Sequence, residues 1–153
     1  MFRIFIDGDA CPVKQETFRV AKRYDLEVLL VVNRPMHLPR EGRIRLQVVP
    51  EGFDAADDWI ASHTGQGDIV ITADIPLAAR CLKAGAYVLG HSGREFTEDG
   101  IGEAQAKRTL LELHRQLGEL TSGPPAMDQH SRSRFLSKLD ELVNRLRKKQ
   151  RDA

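Results

Sequence analysis

Phe2-Arg3-Ile4-Phe5-Ile6-Asp7-Gly8-Asp9-Ala10-Cys11-Pro12-Val13-Lys14 is an apolar run that ends on two acids and passes directly into helix-forming sequence. An unbroken aliphatic and aromatic stretch this short is the pattern of a strand buried on both faces, which is how strands of a parallel sheet read. The pattern predicts a strand over 2–6 and a helix over 13–24. Working outward, the same alternation recurs: strands over 28–32, 44–49, 69–72 and 87–89, and helices over 55–62, 75–84 and from about 101 to 117. The expected fold class is therefore α/β, three layers, with a mainly parallel central sheet flanked by helices.

Composition agrees. The 153 residues are 41% hydrophobic and 29% charged with a net charge of +1, enough apolar content for one ordinary domain. Two cysteines exclude a disulfide scaffold. The longest aliphatic run, Val28 to Val32, is far short of the ~20 residues of a spanning helix, and Asp7 and Asp9 interrupt the N-terminal apolar stretch, so no membrane association and a cytoplasmic location are expected. The balanced charge argues against coating duplex nucleic acid by electrostatics alone.

Charge is nonetheless uneven. Residues 131–153 hold eight Lys or Arg against three Asp or Glu, while the preceding 130 hold 15 against 19. Phe135, Leu136, Leu139, Leu142, Val143 and Leu146 form the stripe of an amphipathic helix, with Ser131 or Ser133 available as its cap. Ser122-Gly123-Pro124-Pro125 breaks helix on both sides. The expected organisation is an α/β domain over 1–120, a linker over 121–130, and a basic C-terminal helix over 131–153 packed on the same domain. Its cationic end complements the helix dipole or touches nucleic acid.

In an open α/β sheet the ligand site lies beyond the carboxyl ends of the strands, where strand order reverses. Acids collect at those ends. Asp7 and Asp9 are two residues apart and project to one side if the backbone stays extended. Asp74 follows the strand that ends at Thr72 and is equally placed to cap the next helix. Asp54, Asp57 and Asp58 open another helix, where acids also complement the dipole. Asp7, Asp9, Asp57 and Asp74 thus come from three strand-to-helix regions that one edge would unite, with Asp54 and Asp58 expected at its margin. Carboxylates without paired His or Cys are hard oxygen donors suited to Mg²⁺ or Mn²⁺ rather than zinc. Such a centre serves phosphoryl chemistry, so hydrolysis of a phosphodiester is the expected reaction and RNA or another single strand the expected partner.

The segments Asp7-Gly8-Asp9-Ala10-Cys11-Pro12, Gly52-Phe53-Asp54-Ala55-Ala56-Asp57, Thr72-Ala73-Asp74-Ile75-Pro76-Leu77-Ala78 and Gly123-Pro124 resemble those of the YaiI/YqxD family of uncharacterised bacterial proteins. That family is similar in turn to the PIN-like nuclease superfamily, whose pattern is an Asp ending the first strand, an acid in a middle helix, and Thr-x-Asp after a later strand. Asp7, Asp57 and Asp74 match those positions. The resemblance implies a PIN-like fold and a metal-dependent nuclease. A fourth acid further along is usual in such domains; Asp99, Glu98 or Glu95 is available to supply it, though none of them stands in a recognisable motif. Gly8 replaces the alanine usual in the family's first motif, a change expected to be harmless.

Substrate contacts are expected from Lys14, Arg34, Thr72 and Arg94. Arg34 belongs to the 33–43 loop with Arg40 and Arg43, and Arg94 follows the fifth strand; arginine grips phosphate through a planar fork. Lys14 either reaches a phosphate or neutralises the acids. Cys11 at a helix start is not assigned catalysis, because the carboxylates oppose its ionisation, and Cys81 reads as packing. Histidines 37, 63, 91, 114 and 130 show no ligand spacing. Two alternatives remain open: a haloacid-dehalogenase-like phosphatase with Asp7 as nucleophile and Asp9 as acid/base, and a non-catalytic, metal-dependent RNA-binding module.

Overall fold

In a computed structural model of the chain, which describes residues 2–52, 54–103, 106–107 and 127–152, the expected alternation is present. The elements are β1 (Ile4–Asp7), α1 (Lys14–Arg23), β2 (Glu27–Val32), β3 (Arg43–Val48), α2 (Ala55–His63), β4 (Ile69–Ile71), α3 (Ile75–Lys83), β5 (Tyr87–Leu89) and β6 (Glu95–Phe96). A helical segment, α4, follows at 98–103, and α5 spans Gln129–Arg151. One six-stranded sheet has the order β3-β2-β1-β4-β5-β6. The first five strands are parallel, and β6 returns antiparallel to β5.

Alternation along β1 divides the core. Ile4 and Ile6 join one cluster with Phe18 and Val20 of α1 and Phe135, Leu139, Leu142, Val143 and Leu146 of α5. Phe5 joins the other with Ile60 of α2 and Leu77, Ala78 and Cys81 of α3. The result is three layers, helices on both faces of a mainly parallel sheet. Trimming one of these side chains, as in Leu139→Ala, removes its burial and leaves a cavity, costing about 2–5 kcal/mol.

Two element boundaries differ from expectation for physical reasons. β6 is only two residues long, too short for periodicity to show; it forms because Gly93, at φ 92°, turns the chain so that Gly90 N–H donates to the Arg94 carbonyl at 2.7 Å. Helix α5 starts earlier than Ser131 because neither serine caps it. Asp128 does, its Oδ1 accepting from Ser131 N–H at 2.7 Å, which places 129–130 in the helix and not in the linker. Linker residues 121–126 lie outside the described residues, as does the expected helix beyond 107. Among the described residues no helix is long and apolar enough to cross a membrane.

Candidate functional site

The chain enters the sheet at its centre. From β1 it proceeds to β2 and β3 on one side, then crosses to β4 and β5 on the other, so the order reverses between β1 and β4. Ile6 is paired with Ile71 across that junction, which leaves Asp7 and Thr72 as the next positions at its carboxyl end. The Thr72 side chain is fully buried, and its hydroxyl donates to Asp7 Oδ2 at 2.9 Å. The Thr72 hydroxyl oxygen in turn accepts from the Asp74 N–H at 3.0 Å. Asp74 in turn caps α3, its Oδ1 accepting from Leu77 N–H at 2.9 Å, with Pro76 in the first turn where its missing N–H costs nothing. The strand end, the acid and the helix start are thus one hydrogen-bonded unit.

Asp57 reaches the same junction from α2. Its carboxyl is pushed up to about 6, first by burial, then by the charges of Asp74, Asp7 and Asp54 and a hydrogen bond with Asp54. Asp7 is also raised, chiefly by burial, against the Thr72 hydroxyl that lowers it and with Asp74 and Asp9 adding to the rise. Among the described residues no basic side chain offsets either group. Asp54, expected at the margin, acts directly on Asp57; it sits at φ 65° before α2 and makes no cap bond. Asp58 does fall outside, paired with Arg80 at 2.8 Å.

Asp9 departs from the expected arrangement. The ladder ends with Gly8 N–H donating to the Val31 carbonyl at 2.8 Å, and the chain then turns at Asp9 and Ala10. The Asp9 carboxylate accepts from the Asn33 N–H at 3.1 and 3.2 Å, at the end of β2. Its charge still reaches Asp7, but its oxygens are occupied by an amide. Among the described residues no three His, Cys, Asp or Glu side chains are arranged to enclose one ion.

The expected substrate residues are more dispersed. Lys14 Nζ donates to the Cys11 carbonyl at 3.0 Å, bracing the turn that follows Asp9. Arg34 is exposed and paired with Glu51 at 3.0 Å, while Arg94 lies 5.6 Å over the Phe96 ring. Of the further acids, Glu95 is held by Arg145 at 2.8 Å, and Glu98 and Asp99 are exposed at the start of α4. Cys11 is buried and its thiol pushed up to about 11, mainly by that burial; Cys81 behaves alike. Neither is a ready nucleophile.

One supporting residue is absent from the sequence-based expectations. Arg132 of α5 donates to the Pro12 carbonyl at 2.6 Å and lies 3.4 Å from Glu16, pinning the turn below Asp9. An arginine on a polar helix face carries no local signal of such a partner. His91, just past β5, keeps its Nε2 buried without a partner among the described residues, and burial together with Lys14 holds its pKa below the usual imidazole value.

Comparison with known proteins gives one result throughout. A family model described as "Uncharacterized BCR, YaiI/YqxD family" matches residues 5–145. A UPF0178 protein of Rhodospirillum centenum is 54% identical over 152 residues, covering 97% of this chain and 99% of its own. UPF0178 proteins of Paramagnetospirillum magneticum and Rhodospirillum rubrum are 51% and 50% identical, each covering at least 95% of both chains. No solved structure matches. With matches that run through the sheet, the acidic edge and most of α5, the chain belongs to the YaiI/YqxD family.

Proposed function

We propose that the protein is a Mg²⁺- or Mn²⁺-dependent nuclease that hydrolyses phosphodiester bonds in RNA, with Asp7, Asp57 and Asp74 as its anionic centre. The observation that supports this most is the meeting of carboxylates from β1, α2 and the start of α3 at the strand-order reversal, where the charge of Asp74 raises the proton affinity of both Asp7 and Asp57 and no basic side chain among the described residues answers it. Uncompensated anions at the ligand edge of a parallel sheet are stabilised by a divalent cation.

The donor chemistry fits. All the oxygens are hard, and Mg²⁺ keeps most of its waters while taking one or two carboxylates, so a complete protein cage is not required. Asp7 and Asp57 would hold the ion. Asp74 commits one oxygen to its helix cap, and Asp9 is engaged by the Asn33 amide, so both act through water or by charge. When bound, such an ion stabilises charge on a phosphoryl group and lowers the pKa of a coordinated water.

The chain's own groups supply the rest. Thr72 fixes the Asp7 carboxylate against rotation. Lys14 holds the Cys11 carbonyl and with it the shape of the turn. Arg34 can exchange Glu51 for a phosphate, and Arg94 is exposed to do the same. The Asn33 amide on Asp9 favours this reading over the phosphatase, which needs Asp9 free to move a proton beside Asp7.

The test is cleavage of labelled single-stranded RNA with Mn²⁺ or Mg²⁺, beside Asp7→Asn and Asp74→Asn variants. Metal-dependent cleavage lost in both variants supports the nuclease. Cleavage that survives both removes it. Metal-dependent RNA retention without turnover points to the non-catalytic module, and a phosphoaspartate trapped with fluoride analogues points to the phosphatase.

A further inference from the structure

We propose that the C-terminal end of α5 is a docking surface for the phosphate backbone of single-stranded RNA, at the edge of the sheet opposite the acidic centre. The RNA class rests on the reading above; the surface itself rests on separate observations. Helix α5 begins at the acidic edge, where Arg132 reaches Pro12, and ends beside the start of β5, where Lys149 Nζ lies 3.2 Å from the Tyr87 hydroxyl. Its 23 residues span about 34 Å.

Elsewhere around that end, basic side chains are spent on acids. Arg3 pairs with Asp68 at 3.0 Å, Arg43 with Glu27 at 3.7 Å, Lys22 with Glu41, Arg23 with Asp140, and Arg145 with Glu95. Arg147, Lys148, Lys149 and Arg151 are exposed and have no acidic partner among the described residues. A helix C-terminus presents roughly half a negative charge, which one cation satisfies. Four cations within five positions exceed that need and repel one another until an anion is present.

Two of them are held in place by aromatic faces. Arg147 lies 4.7 Å over the Tyr24 ring, and Lys149 lies 5.9 Å from the Tyr87 centroid. Stacking orders the side chain while leaving its charge available, and cations beside rings are a combination single strands use. An anionic membrane is the less suited partner. An interfacial helix inserts its apolar face, whereas Phe135, Leu139, Leu142, Val143 and Leu146 are all inside the core.

The experiment measures binding of a labelled 16-nucleotide single-stranded RNA to the full chain by fluorescence anisotropy across a KCl series in EDTA, where no cleavage occurs. A variant with Arg147→Gln, Lys148→Gln, Lys149→Gln and Arg151→Gln is compared with the wild type, helix content being checked by circular dichroism. The slope of log K against log[KCl] is expected to become shallower by about 3, since each neutralised phosphate of a single strand contributes roughly 0.7. The pair Lys148→Gln and Arg151→Gln alone is expected to reduce it by about 1.4 by the same rule. In the cleavage assay the fourfold variant raises KM and leaves kcat unchanged. An unchanged slope in both variants overturns the proposal, as does sedimentation with phosphatidylglycerol vesicles in the absence of RNA binding. A shifted slope without cleavage keeps the surface and discards the nuclease; cleavage with an unshifted slope does the reverse.

Discussion

The guanidinium of Arg132 donates to the carbonyl of Pro12 at 2.6 Å, joining positions 120 residues apart in the chain. The bond ties the helix that closes one face of the sheet to the turn that carries Asp9. Arg132→Ala leaves that carbonyl and the half-buried Glu16 carboxylate unanswered, and Glu16 Oε2 already lacks a partner among the described residues. A loss of about 1–3 kcal/mol is expected in urea unfolding, with Arg132→Lys recovering part of it. An unchanged midpoint for Arg132→Ala would sink this reading.

Asp57 gives a pH dependence of definite sign. Its folded-state pKa, about 6, lies above its ordinary 3.8, so the folded state binds the proton more tightly than the unfolded chain does. Metal-free stability is therefore highest below about pH 4 as far as this group is concerned, and falls as pH rises through 6. Full conversion of the shift would give about 3 kcal/mol, and solvent around a partly exposed carboxylate reduces that to about 1 kcal/mol. Asp57→Asn should flatten the profile between pH 4 and 7 and raise metal-free stability at pH 7. Mg²⁺ should recover the loss in the wild type alone. Urea midpoints over this range, with and without Mg²⁺, decide the matter.

Thr72→Val keeps the shape and removes the hydroxyl that serves Asp7 and the Asp74 amide. Because the position is fully buried, the unmade bonds cost about 1–3 kcal/mol. The Asp7 carboxyl, deprived of its donor, should titrate higher still, which carbon-detected NMR of that carboxyl will show. Thr72→Ser should retain most of the wild-type value.

Gly8→Ala tests how closely the end of β1 fits against β2. A Cβ at position 8 would lie 2.6 Å from Leu30 Cδ1, 2.7 Å from Val32 Cγ1 and 3.0 Å from the Val31 carbonyl. An alanine at this position therefore does not fit unless β2 side chains move. Thermal unfolding of Gly8→Ala should show a loss of about 1–3 kcal/mol.

The parallel frame was legible because strands covered on both faces are continuously apolar, and Asp7 and Asp74 were legible because each directly follows such a run. What local sequence could not convey is side-chain direction after a strand ends. Asp9 is two residues from Asp7 and would share its side in an extended chain, yet the close fit of Gly8 on β2 ends the ladder and the turn delivers Asp9 to Asn33. Asp54 reads as marginal in the sequence because the left-handed backbone it adopts beside Asp57 has no pattern of its own in an aspartate. Asp128, three residues before Ser131, is as good an acceptor as the nearby serines, and local sequence alone does not choose between them. Arg132 and Pro12 depend on tertiary packing alone.

The two faces of the sheet are not equally self-sufficient. One is closed by α2 and α3, which lie between the strands they cover, while the other needs residues 135–146. Opening of α5 as a single foldon would strip one face and release the turn below Asp9, yet leave Phe5, Ile60 and Leu77 packed. Native-state hydrogen exchange should then find α1 and α5 opening together at lower free energy than β1 and β4. Order at the acidic edge would thus be governed by a helix that lends it no carboxylate.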